Sequence, residues 1–145
     1  MQRLLCVFLA ASLLTTGCAR HSHSDRKAAK RADEQHARSA AVEWLELVDA
    51  GDYEEAYDRE PARLRAGGTT RQFERSMTAR RAPFGHALSR KVVGTAYSHK
   101  LTGAPDADYQ SVLFKTSFEH KKLAAERVIL VRDHGSWKVV DYRLY

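Results

Sequence analysis

The apolar pattern changes period near Arg90, and no other feature constrains the fold as much. Before that point apolar residues recur at helical spacing: Ala37, Ala40, Ala41, Trp44, Leu47 and Val48 share one face. Gly51 reads as the stop of this helix. Asp52, with a carboxylate three residues on, reads as the cap of a second helix carrying Tyr53, Ala56 and Tyr57 and ending before Pro61. After the Gly67-Gly68 turn, Thr69 and Gln72 form a capping box for a third helix, with Phe73 and Met77 as its apolar stripe. It stops near Arg81, before Pro83.

Beyond Arg90 the period is two. Residues 92–97 are β-branched and aromatic, and residues 101–107 are turn-rich. Residues 109–118 alternate, placing Val112, Phe114, Thr116 and Phe118 on one face. Residues 125–132 and 137–145 are two further strands joined by a tight turn at His134-Gly135. In the last strand, strict alternation puts Trp137 and Val139 on one face, and Val140 and Tyr142 on the other. Helices followed by a meander of strands predict an α+β fold: three N-terminal helices on a curved four-stranded antiparallel sheet. The 145-residue chain has room for one such domain, expected over residues 35–145.

The N-terminus carries an address. Arg3 precedes residues 4–14, an unbroken run of apolar and small side chains. Eleven helical residues rise about 16 Å, half of a bilayer core of about 30 Å, so a signal-peptide core fits and a spanning helix does not. Leu13-Leu14-Thr15-Thr16-Gly17-Cys18 resembles a bacterial lipobox. That resemblance implies cleavage after Gly17, a signal peptide of residues 1–17, and diacylglyceryl and N-acyl (palmitate-type) chains on Cys18. The other reading is an ordinary secretory signal ending near a cysteine. Cys6 leaves with the signal, so the mature chain keeps a single cysteine and no internal disulfide. The alanine at position 19, where an aspartate would imply inner-membrane retention, points to the outer membrane of a two-membrane envelope.

Residues 18–34 hold no large apolar side chain and read as a flexible basic tether. Arg20, Arg26, Lys27, Lys30 and Arg31 would attract anionic headgroups at about 1 kcal/mol per charge, or simply be solvated. His21 and His23 lack a third ligand for a metal. Formal charge is +6 for the whole chain and +5 once Arg3 is removed. Without base-stacking motifs, so modest an excess does not indicate a nucleic-acid partner.

Several features together resemble the bacterial family known as domain of unknown function 4019. They are Trp44 with Asp49-Ala50-Gly51-Asp52-Tyr53, then Arg81-Ala82-Pro83-Phe84-Gly85 and Ser89-Arg90, then Gly103-Ala104-Pro105-Asp106 before Tyr109. Phe118, Glu126 and Gly135-Ser136-Trp137 continue the match through Tyr142. Tyr57, Phe73, Ala107 and Asp141 depart from it. The resemblance implies an outline similar to nuclear-transport-factor-2-like cones, with a space between helices and sheet, and it carries over no catalytic residue.

Glu126 is the carboxylate that most needs an explanation. Alternation puts it with Val128 and Leu130, so it must pair, protonate or face water. Arg81 and Arg90, flanking the turn into the sheet, are the expected partners. Trp44, Tyr53 and Tyr57 either fill the core or line an apolar pocket, and Tyr142 is a candidate for the same pocket or for the ion pair. Arg75, Arg80, Arg81 and Arg90 would bind a carboxylate or phosphate if clustered; otherwise they pair with Asp49, Asp52, Glu54 or Glu55. His86, His99, His120 and His134 show no metal-ligand spacing, and no phosphate loop, dinucleotide fingerprint or nucleophile elbow occurs, so neither metal nor cofactor is expected. Two functions fit. One is a non-catalytic envelope lipoprotein, membrane-bound through Cys18, that binds a protein or a small ligand. The other is a small pocket enzyme of dehydratase, isomerase or hydrolase type using Glu126 or Asp141.

Overall fold

The computed structural model of the chain describes residues 23–145. The signal segment, Cys18 and His21 lie outside the described residues. Among the described residues four helices precede four strands: α1 (His23–Ala50), α2 (Tyr53–Asp58), α3 (Ala62–Arg65) and α4 (Thr70–Arg81), then β1 (Ala87–Ser98), β2 (Tyr109–Phe118), β3 (Ala124–Asp133) and β4 (Ser136–Leu144). The strands form one antiparallel sheet in chain order, and α1 lies against all four of them. The fold is α+β. Among the described residues, no helix is long and apolar enough to cross a membrane.

α1 exposes the first departure from the sequence reading. Its described part spans 28 residues, His23–Ala50, and so runs through the stretch read as a tether. Ala28, Ala29 and Ala32 among lysines and arginines are strong helix formers, so the segment is helical without a large apolar residue. Its buried stripe is Ala37, Ala41, Trp44, Leu45 and Val48. Gly51, at φ +78°, closes α1: its own N–H reaches the Val48 carbonyl and the Asp52 N–H reaches that of Leu47, leaving the left-handed position to a residue without a Cβ.

The capping signals are present as read. Asp52 accepts from the Glu55 N–H at the start of α2, and Thr69 and Gln72 close a reciprocal capping box on α4. The single turn α3 is additional to the three helices expected: it follows buried Pro61 and carries no buried residue, so no apolar stripe marks it in the sequence.

Strand β1 is longer than residues 92–97 and takes Arg90 into the sheet itself rather than leaving it in a turn. On β2 the alternation holds: Val112, Phe114, Thr116 and Phe118 are all buried. On β4 it breaks. The register slips between Ile129, opposite Asp141, and Leu130, opposite Val139. This bulge at Val140 reverses the parity, so Tyr142 joins Trp137 and Val139 on the core side instead of facing away from them. The turn before β4 has His134 at φ 47° and Gly135 at φ 85°, the two positive angles of a tight hairpin turn.

One core fills the space between α1, α2, α4 and the sheet, built around Trp44, Leu45, Phe73, Phe114, Leu130 and Tyr142. On the opposite face the β1–β2 connection folds back over Tyr109, Ile129 and Val131, held by the Tyr109 hydroxyl donating to the Pro105 carbonyl at 2.7 Å.

Candidate functional site

Two polar assemblies stand out against this core. The first gathers one residue from each of six elements: Asp49 of α1, Arg81 of α4, Arg90 of β1, Thr116 of β2, Glu126 of β3 and Tyr142 of β4. Glu126 is 0% exposed. Arg90 Nε donates to Glu126 Oε2 at 2.7 Å, and the Thr116 hydroxyl donates to the same oxygen. The Tyr142 hydroxyl donates to Oε1 at 2.6 Å, with Arg81 Nη1 3.7 Å away. Asp49 bridges the two arginines from the other side: Arg90 Nη1 reaches its Oδ2 at 2.6 Å, and Arg81 Nη2 pairs with its Oδ1.

Two guanidinium groups thus face two carboxylates, and the hydroxyls fill the remaining acceptor sites. Burial of Arg90 works against its charge, but hydrogen bonds to Asp49 and Glu126 outweigh it and hold the guanidinium more firmly protonated than usual. Burial, then the negative charge of Glu126, pushes the Tyr142 phenol well above its usual value, so it remains a donor. Glu126, Arg81, Arg90 and Tyr142 therefore come together as a closed, internally matched cluster. Trp44 stacks on its edge, 5.4 Å from the Tyr142 ring, while its indole N–H donates to the Ala56 carbonyl at 3.0 Å. Tyr53 is half-buried against Phe73. It also lines a cleft of about 460 Å³ that reaches Asp49 and Arg81 from outside, past His86 and His120.

The four arginines do not make one cationic patch. Arg81 and Arg90 are consumed by the cluster, Arg80 donates to the Tyr142 carbonyl, and Arg75 is exposed. Asp141 pairs with Arg143 at the surface. Among the described residues, no group of three His, Cys, Asp or Glu side chains is placed to hold a metal.

The second assembly went unnoticed in the sequence. It is a cleft of about 630 Å³ between the early turns of α1 and the edge of the sheet, lined by Ala29, Lys30, Asp33 and Glu34 of α1, Thr95 and Tyr97 of β1, Asp108, and Gln110 of β2. Its signal lay in the α1 stripe. Stepping back from Ala37 by three or four residues reaches Asp33 and Glu34, and another turn reaches Ala29 and Lys30, so the face that buries Trp44 turns polar here. The Thr95 hydroxyl donates to Glu34 Oε1 at 2.6 Å, and the Tyr97 hydroxyl to Asp108 Oδ1 at 2.7 Å. Asp33 pairs with Arg132 and accepts from the Trp137 indole at 3.1 Å.

Gln110 forms the floor. It continues the core-facing alternation of Val112, Phe114 and Thr116, sits opposite Tyr97 and Leu130, and is 4% exposed. None of the described residues hydrogen-bonds its side-chain amide. Among the described residues the fully buried side-chain nitrogens and oxygens without a partner are Arg65 Nε and Arg127 Nε, so the Gln110 amide opens into the cleft, at a position whose neighbours in the row are core-facing.

Residues 40–142 match the profile of a family described as protein of unknown function (DUF4019). No curated protein and no solved structure matches the chain.

Proposed function

The chain belongs to that family, and on this premise we propose that it is a non-catalytic cell-envelope lipoprotein whose domain receives a small ligand in the cleft between α1 and the sheet. The observation that carries the reading is Gln110, an amide kept at the floor of a cleft where packing alone favours a hydrocarbon. In outline the domain corresponds to a nuclear-transport-factor-2-like cone, with the large side chains of the α1 stripe filling one end and the cleft at the other. Cys18 carries the lipid, as the lipobox-like run implies, and holds the domain at a membrane, on the periplasmic face of the outer one where two are present.

The enzyme alternative asks Glu126 or Asp141 to exchange protons with a substrate. Glu126 is enclosed and matched by Arg90, Thr116 and Tyr142, and Asp141 is paired with Arg143 outside any cleft that also holds Glu126. That geometry favours a structural role for both.

A thermal-shift screen of the full-length protein against panels of small amines, acids and saccharides tests the binding reading. Trp137 reports on the cleft through its bond to Asp33, so a true ligand should raise the melting temperature and change the indole fluorescence together. If no compound does both, the reading is abandoned.

A further inference from the structure

Which ligand chemistry the cleft suits follows from how its charges are spent. Asp33 is neutralised by Arg132. Glu34 and Asp108 are not neutralised in the same way: the partners of their bonded oxygens are hydroxyls, with only the exposed His99 imidazole also near Asp108, at 2.8 Å. Each uses a single oxygen in these contacts. Oε2 of Glu34 and Oδ2 of Asp108 are left without a hydrogen bond or ion pair among the described residues. Lys30 lies one helical turn before Glu34, lines the same cleft, and forms no ion pair with it. Residues at that spacing stand about 5–6 Å apart between Cβ atoms.

A primary ammonium has three donors and a positive charge. Two carboxylate oxygens and the Gln110 carbonyl offer three acceptors on the walls and floor of one cleft, and Tyr97 adds an aromatic ring. The Lys30 ammonium, on the same wall, offers a counter-charge to an acidic group at the other end of the same molecule. The Gln110 amide, which has no protein partner and opens into the cleft, gains one when the cleft is filled. Resting on the reading of this cleft as the ligand site, we propose that its ligand is a small zwitterion bearing a primary ammonium and an acid group, the ammonium held by Glu34, Asp108 and Gln110 and the acid by Lys30.

Isothermal titration of the full-length protein with four probes of one chain length tests this: 4-aminobutyrate, n-butylamine, butyrate and n-butanol. The proposal expects saturable binding of 4-aminobutyrate, weaker binding of n-butylamine, and none of the other two. Glu34→Gln with Asp108→Asn should weaken 4-aminobutyrate at least tenfold, and Lys30→Met should reduce it to the level of n-butylamine. Gln110→Leu should abolish binding while raising the melting temperature, an outcome that misfolding could not imitate. Butyrate binding as well as the amine, or variants binding like the parent, overturns the zwitterion assignment. If none of the four binds while a neutral saccharide does, and Gln110→Leu abolishes that binding, the ligand class is wrong but the cleft remains the site. If nothing binds and Gln110→Leu changes nothing, both fall.

Discussion

The Tyr142 hydroxyl donates to Glu126 Oε1 at 2.6 Å because a bulge at Val140 turns Tyr142 inward. Without that one-residue slip the phenol would lie on the other face of the sheet, and a fully buried carboxylate would lose a donor. The bulge, the phenol and the acid are parts of one arrangement, the phenol and the acid being 16 positions apart in sequence.

Glu126→Gln should therefore destabilise the fold. The amide cannot balance Arg90 and Arg81, and breaking a buried pair from one side costs about 3–5 kcal/mol. Tyr142→Phe should cost less, about 1–3 kcal/mol, since it removes one donor and no charge. Urea unfolding of both variants checks this. A stabilised Glu126→Gln would show that the acid is held against its preference, as functional acids are.

Glu60 should make stability fall between mildly acidic and neutral pH. Burial pushes its carboxyl up to about 7, against 4.5 unperturbed, with Arg65 pulling the other way in part. The folded state then holds a proton that the unfolded state has released. Its contribution is fully present below about 4.5 and lost as pH rises through about 7. Glu60→Gln should flatten the profile over this window. A parental slope persisting in the variant would assign the effect to another group.

Trp44→Ala should cost about 3–5 kcal/mol, as expected for a large side chain that is 1% exposed and packed between Phe73 and Tyr142. Trp137→Ala should cost less in packing, because Trp137 is 9% exposed and its ring lies under Arg132 at the rim. It should also take the indole donor from Asp33, which keeps its ion pair with Arg132. Chemical denaturation that found the two equal would mean that the Asp33 bond contributes as much as the missing packing.

Labelled palmitate should enter the wild-type chain and not Cys18→Ser. Equal incorporation into both, or none into the wild type, would remove the lipid anchor from the proposed function.

Much of this arrangement was legible in the residues. Period-two alternation put Glu126 beside Val128 and Leu130, and an acid in that row demanded cations, which Arg81 and Arg90 supply. Asp49 was harder to see as the bridge between them, since nothing local to α1 shows that its last turn meets both α4 and β1. Tyr142 was misplaced because a bulge shifts parity without leaving a mark in a strand rich in β-formers. The cleft was missed for a different reason. Residues 23–34 were judged by their lack of large apolar side chains, whereas Asp33 and Glu34 are held to the sheet by polar partners.

α1 is consequently held in two ways along its length. From Ala37 to Val48 it is packed; at Asp33 and Glu34 it is latched to Arg132, Trp137 and Thr95; the turns before that are exposed. The latch can open without disturbing the packed part, so the helix need not melt as one unit. Amide hydrogen exchange should step from slow to fast between Ala37 and Lys30, and Asp33→Asn with Glu34→Gln should move that step toward Ala37 while global unfolding changes little. The two carboxylates that latch this stretch of α1 to the sheet are thus also two walls of the cleft, so filling the cleft and holding the helix draw on the same side chains.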